Sequence, residues 1–323
     1  MKIKPYRIGQ IISAVILNAY ILAYIQNKVI YQGFLKHIPE PVLNCYGGPL
    51  SVFACPMGSL QQVIGVHRIP FYIIGFFVII GIFVGRMACA WVCPFGLLQD
   101  LLYKINPPQV DKFDLPKFAP VLTMSLFVIG YFVAHFLFAN FLLIGRILLV
   151  FGFVILGIVL DNLIKWRIKR FDITAIKYLV LIGVAVIFAY YTQEPWFCKL
   201  CPQGTLEAGI PLVLWDPVKQ LRQLVGWLYY TKLSILSVTL LLSIPIKRPF
   251  CRVFCPIGAI YAPFNKFSLL HLRLKKEECK DCQICKKVCP MAIEVHQNPN
   301  QLDCIRCFEC VWHCHPRSVE IKL

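Results

Sequence analysis

Four times the chain sets a cysteine directly before proline and follows it with glycine two residues after that proline. The elements are "CYGGPLSVFACPMGSL" (Cys45, Cys55), "CAWVCPFGLL" (Cys89, Cys93), "CKLCPQGTL" (Cys198, Cys201) and "CRVFCPIGAI" (Cys251, Cys255). Each offers two thiols, and two thiolates do not complete the four-cysteine ligand set of an iron–sulfur cluster. The fold therefore has to bring elements together in pairs, which constrains its topology more than any other feature. Proline stops a helix from running on through the second cysteine, and glycine permits close backbone approach.

The elements sit beside long apolar runs. Of 323 residues, 58% are hydrophobic, and the mean hydropathy is +0.67. Six apolar segments, near 8–26, 70–87, 118–138, 144–164, 173–191 and 229–246, are long enough, or nearly so, to cross about 30 Å of hydrocarbon as helices. The formal charge of +17 is scattered among these runs, so it reads as charge asymmetry across a membrane and not as a nucleic-acid surface. Lysine and arginine concentrate in the segments before the first span, between the second and third, between the fourth and fifth, and after the sixth. That bias predicts both termini to be cytoplasmic. The N-terminal run lacks a small-residue cleavage site and is expected to stay as the first helix. A glycine-rich nucleotide fingerprint and a nucleophilic triad are both missing.

On this topology the four elements alternate outer, inner, outer, inner. The chain reads as a duplicated unit whose pseudo-twofold axis lies along the membrane normal. Arg86 and Arg248 each stand three residues before the first inner cysteine, which strengthens the repeat. Cys89 and Cys93 are expected to meet Cys251 and Cys255 at an inner site, and Cys45 and Cys55 to meet Cys198 and Cys201 at an outer one. Four thiolates suit a [4Fe–4S] cluster, and equally a [2Fe–2S] cluster or a single rubredoxin-like iron. The outer cysteines have a further alternative, the disulfides Cys45–Cys55 and Cys198–Cys201. The two arginines are candidates for offsetting the charge of a bound cluster. His135, inside the third span, is a candidate quinone contact or a plain helix–helix hydrogen bond.

The C-terminal region carries a different pattern. "CKDCQICKKVCP" and "CIRCFECVWHCHP" each follow C-x2-C-x2-C-x3-C spacing, the two-cluster ferredoxin arrangement in which the fourth cysteine of each run ligates the other cluster. Cys279, Cys282, Cys285 and Cys314 are expected to hold one [4Fe–4S] cluster, and Cys304, Cys307, Cys310 and Cys289 the second. Zinc is the competing reading of such sets. Lys275, Lys276, Lys280, Lys286 and Lys287 crowd the first run, either as a dock for an acidic electron carrier or as a solvated face. The expected division is a membrane domain over 1–265 and a small α+β ferredoxin domain over 266–323.

Repeated C-x3-C-P motifs at helix ends, followed by a two-cluster ferredoxin, resemble the NapH-type polyferredoxin-like membrane proteins. That group includes the membrane quinol dehydrogenase subunit of periplasmic nitrate reduction, and the C-terminal membrane part of the nitrous-oxide reductase regulator is similar. The wide Cys45–Cys55 spacing and the C-x2-C-P at Cys198 depart from the commoner motif. The resemblance implies electron transfer from quinol or a cytoplasmic donor to a partner on the outer side.

The expected protein is mainly α, a polytopic bundle of about six spans in the cytoplasmic (inner) membrane of a prokaryote, holding four [4Fe–4S] clusters. A quinone is a further candidate cofactor. Its expected partners are the membrane, a cytoplasmic electron carrier or oxidoreductase and an extracytoplasmic redox protein, without nucleic acid. The alternative function is a redox or metal-handling assembly or regulatory factor of a respiratory enzyme.

Overall fold

The computed structural model describes residues 4–26, 28–105, 173–215, 221–315 and 317–323. The chain divides into two units, Met1–Asp111 with Thr174–Leu323, and Lys112–Ile173. Apart from Ile173, the described residues belong to the first unit, which is mainly helical with one two-stranded sheet. The segments expected at 118–138 and 144–164, together with His135, lie outside the described residues.

Two stretches share one order of elements. In the first, Pro56–Gly65 leads to Phe71–Val84, then to the one-turn helix Met87–Trp91 and to Pro94–Leu102. In the second, a helical stretch over 202–215 with a π-helical turn at Thr205–Gly209 leads to Trp227–Leu242, then to Pro249–Val253 and Pro256–Tyr261. Phe77 packs edge-on against Tyr261 at 5.5 Å between ring centroids, and Phe95 against Phe250 at 5.3 Å, so the shared core is built from both stretches.

Four of the six apolar runs lie among the described residues and form helices, three of them shorter than the hydropathy suggests. Among the described residues, Pro5–Gln26 alone is long and apolar enough to cross a membrane. It breaks into Pro5–Leu17 and Leu22–Gln26, where the Asn18 amide donates to the Ala14 carbonyl and to Asn44 Oδ1, both at 3.2 Å. The runs at 70–87, 173–191 and 229–246 become Phe71–Val84, Ile176–Thr192 and Trp227–Leu242. Phe71–Val84 stops at Gly85, whose φ of +57° a β-carbon would strain. All four segments carry exposed large apolar side chains, such as Ile12 and Val15, Ile79 and Phe83, Leu179 and Phe188, Trp227 and Leu241.

The C-terminal region is closed by its own ends. His271–Leu274 pairs antiparallel with Val319–Lys322, with Leu272 opposite Ile321. The two cysteine-rich runs lie between these strands, each followed through a short helix, Ile284–Val288 and Glu309–Trp312.

Candidate metal centres

The Cys-Pro step makes the same joint four times. Cys55, Cys93, Cys201 and Cys255 all take extended backbone angles, with φ from −66° to −71° and ψ from 113° to 122°. A following proline disfavours the helical region for the residue before it. The proline then occupies the first position of a new helix, where its missing N–H costs nothing. So the proline opens the next helix as well as ending the previous turn. The cysteine is left as N-cap: the Gly96 N–H donates to Cys93 Sγ and the Gly258 N–H to Cys255 Sγ, each at 3.4 Å. Helix N-termini favour anionic sulfur.

The inner four cysteines converge. Cys89, Cys93, Cys251 and Cys255 are all buried. At Cys255 burial and then Cys251, Cys89 and Cys93 push the thiol up; at Cys93 burial and then Cys251 and Cys89 do the same. Two arginines tie the stretches together reciprocally. Arg86 Nη2 donates to the Cys251 carbonyl at 3.3 Å, and Arg248 Nη1 to the Cys89 carbonyl at 3.1 Å. Both arginines are fully buried. Their charge is already paired: Arg248 makes a two-pronged contact with Asp100 at 2.8 and 2.7 Å, and Arg86 meets Asp303 at 2.8 Å. These arginines therefore act first as clamps on the opposite stretch's backbone. Gln99 adds a third crossing, its Oε1 accepting the Phe250 N–H at 3.2 Å while Nε2 donates to Cys251 Sγ at 3.1 Å.

The outer four also converge. Cys45, Cys55, Cys198 and Cys201 line one cavity of about 480 Å³ together with Gly58 and Gly204. Gln61 repeats the Gln99 arrangement: Oε1 accepts the Phe197 N–H at 3.0 Å and Nε2 donates to Cys198 Sγ at 3.3 Å. From the other side the Glu207 carboxylate accepts the Cys45 N–H at 2.5 Å. Burial raises the Glu207 carboxyl to about 8, against the pull of the Cys45 N–H. Burial also lowers the Lys36 amine to about 8, and its Nζ donates to the Ser51 carbonyl at 2.8 Å. No disulfide joins any of the sixteen cysteines in this structure.

In the C-terminal region the two cysteine runs exchange their fourth members. Cys279, Cys282, Cys285 and Cys314 surround one small cavity, and Cys289, Cys304, Cys307 and Cys310 surround another. The first set is the more open, with Cys282 exposed; the second is buried throughout. Burial pushes the Cys304 thiol up to about 11. At Cys314 burial acts upward too, but the Ser318 hydroxyl and the N–H groups of Val319, Ser318 and Arg317 outweigh it, and the thiol lies below its ordinary value.

Among the described residues no three His, Cys, Asp or Glu side chains converge on a point that one ion would fill. The outer and the two C-terminal sets line cavities instead, and backbone N–H groups face Cys93 and Cys255 of the inner set, a donor set that fits iron–sulfur clusters. Loading such sites displaces protons from buried thiols.

The buried C-terminal set sits directly on the inner site. Arg86 Nη1 donates to the Leu302 carbonyl at 3.0 Å, besides its bond to Asp303, which Lys177 also meets. Asn265 Nδ2 donates to the carbonyls of Gln301, Leu302 and Cys304, and accepts Arg306 Nη2 on its own carbonyl. Trp91 Nε1 reaches the Arg306 carbonyl at 3.2 Å, and its ring stacks with Phe308 and Trp312.

Asp100, Asp303, Asn265 and Lys36 carry no motif that would single them out. Gln61 and Gln99 do leave a trace, because "CPMGSLQ" and "CPFGLLQ" repeat glutamine at one spacing.

Comparison with known proteins agrees with the donor set. The family model described as a 4Fe-4S binding domain matches residues 66–109, 175–210 and 230–277. The chain is 26% identical over 272 residues to an uncharacterized protein of Methanocaldococcus jannaschii, covering 84% of this chain and 82% of that one. It is 22% identical over 258 residues to the putative electron transport protein YccM of Escherichia coli, covering 78% of this chain and 55% of YccM. It is 24% identical over 174 residues to the ferredoxin-type protein NapH of Escherichia coli, covering 48% of this chain and 55% of NapH. The chain thus spans about half the length of the latter two. No solved structure matches it.

Proposed function

Since the chain belongs to the NapH/NosR-like family of 4Fe–4S proteins, we propose that it is a membrane-embedded electron conduit with four [4Fe–4S] clusters in series. A bound cluster supplies reversible one-electron transfer; the chain supplies the ligands, the spacing and the shielding. The observation that carries this reading is the contact between the buried C-terminal cysteine set and the inner ring, through Arg86, Asp303, Asn265 and Trp91. It supports an order of sites: Cys279/Cys282/Cys285/Cys314, then Cys289/Cys304/Cys307/Cys310, then the inner ring, then the outer ring.

The open first set is the access site. Lys276, Lys280 and Lys287 lie along its cysteine run, and positive charge beside exposed Cys282 suits an acidic cytoplasmic carrier. At the far end, an extracytoplasmic redox protein or a quinone exchanges electrons with the outer ring. The exposed apolar faces of Pro5–Gln26, Phe71–Val84, Ile176–Thr192 and Trp227–Leu242 support immersion in lipid. Six spans, with both termini cytoplasmic, complete the proposed topology, and 266–323 forms the ferredoxin part.

The test is iron and acid-labile sulfide per chain on anaerobically purified protein, with EPR during stepwise reduction. About sixteen irons, four per cubane, and four reducible signals are expected. About eight irons with ferredoxin-type signals alone would sink the conduit. A second reading, metal handling or redox sensing for enzyme assembly, draws on the outer cavity, which is far larger than the two C-terminal ones. In that case the outer cysteines would bind metal reversibly and exchange it with a chelator, while the remaining sites keep theirs.

A further inference from the structure

One position recurs in all four Cys-Pro elements, the sixth residue after the cysteine that precedes proline: Gln61, Gln99, Glu207 and Tyr261. In three of the four it reaches across to the first cysteine of the partnering element. Gln61 meets Cys198, Gln99 meets Cys251, and Glu207 meets Cys45. The Tyr261 hydroxyl is buried and has no hydrogen-bond partner among the described residues.

The chemistry of the two glutamines is fixed by their anchors. A backbone N–H can only donate, so the end of Gln99 that meets the Phe250 N–H is its oxygen, and the end of Gln61 that meets the Phe197 N–H is likewise its oxygen. The amide nitrogen is then the group that faces sulfur, which settles an orientation otherwise ambiguous for such side chains. A thiolate that accepts an N–H bond holds its electron density less available to iron, and hydrogen bonds to the sulfurs are among the factors that set cluster potential.

We infer that this sixth position tunes the membrane clusters across the repeat, with Gln61 acting on the outer cluster and Gln99 on the inner one. The inference rests on the proposal that both membrane rings hold clusters. These are positioning residues: they touch the ligand, and the ligand touches the iron. Glu207 belongs to the same position but serves the Cys45 backbone N–H in place of a sulfur.

The test is an EPR-monitored redox titration of the full chain, purified anaerobically, comparing wild type with Q61L, Q99L and Q99E. Iron and sulfide content are measured on the same samples. Q99L is expected to lower the midpoint of one signal, and Q61L that of a different signal. The ferredoxin-type signals are expected to stay where they are. Q99E keeps an oxygen for the Phe250 N–H but loses the N–H to sulfur, so it is expected to lower the same midpoint as Q99L. If Q99L sheds its cluster, Q99E carries the comparison. Unmoved midpoints at wild-type iron content would overturn the inference and leave the conduit standing, as would Q61L and Q99L shifting one common signal. Wild-type protein with only ferredoxin-type signals would overturn both.

Discussion

The glycine of each inner Cys-Pro element is fixed by an arginine from the other stretch. A β-carbon on Gly258 would lie 2.7 Å from Arg86 Nη2, and one on Gly96 would lie 3.2 Å from Arg248 Nη1. The Arg86 head cannot swing aside, because Asp303 and the carbonyls of Leu302 and Cys251 hold it. G258A is therefore expected to cost about 1–3 kcal/mol, the usual range for overpacking a filled core. G96A should cost less, since its neighbour needs to give only slightly. Thermal unfolding of the two variants in detergent, side by side, checks the order. A second expectation concerns the thiols of the chain freed of iron. Cys314, held below its ordinary value, should react with limiting iodoacetamide at neutral pH well before Cys304, which burial pushes to about 11. Equal labelling of the two by mass spectrometry would contradict the thiol environments described here.

At the level of helices, the sequence located the four described apolar segments to within a few residues and misjudged their lengths. Phe71–Val84 has 14 residues and rises about 21 Å, and Trp227–Leu242 has 16 and rises about 24 Å. Hydropathy does not register what ends Phe71–Val84, because Gly85 takes a positive φ and a glycine barely lowers an apolar average. The break at Asn18 is equally hidden, depending on an amide that reaches Asn44 far along the chain. The Arg248–Asp100 pair ties Pro94–Leu102 to the start of Pro249–Val253. Both partners are buried, so R248M leaves Asp100 unpaired and is expected to destabilise by about 3–5 kcal/mol. R248K should fall between wild type and R248M, as a single ammonium cannot serve both Asp100 and the Cys89 carbonyl. Chemical denaturation followed by loss of cluster absorbance would rank the three.

For the molecule as a whole, the cysteine sets that line the two C-terminal cavities were legible because ligand spacing is a local property written in consecutive residues. The repeat was legible for the same reason, from the recurrence of C-P-x-G and of the arginine before each inner element. The joint between the C-terminal set and the inner ring was not, since Asp303, Asn265 and Trp91 acquire their roles only from what the fold lays beside them. The proposed orientation has a direct check. A fluorescent protein fused to the C-terminus should light up in the cytoplasm, and alkaline phosphatase fused after His67 should be active outside. The reverse pattern would overturn the orientation and leave the order of the metal sites untouched.

The reciprocal clamps also have a consequence for how the protein is made. Cys89 and Cys93 leave the ribosome long before Arg248, Cys251 and Cys255, and Cys45 and Cys55 long before Cys198 and Cys201. Neither membrane ring exists until the later stretch has been synthesised and has folded back on the earlier one. With clusters in both rings, as proposed, their iron would have to arrive late in biogenesis, at a chain already folded back on itself.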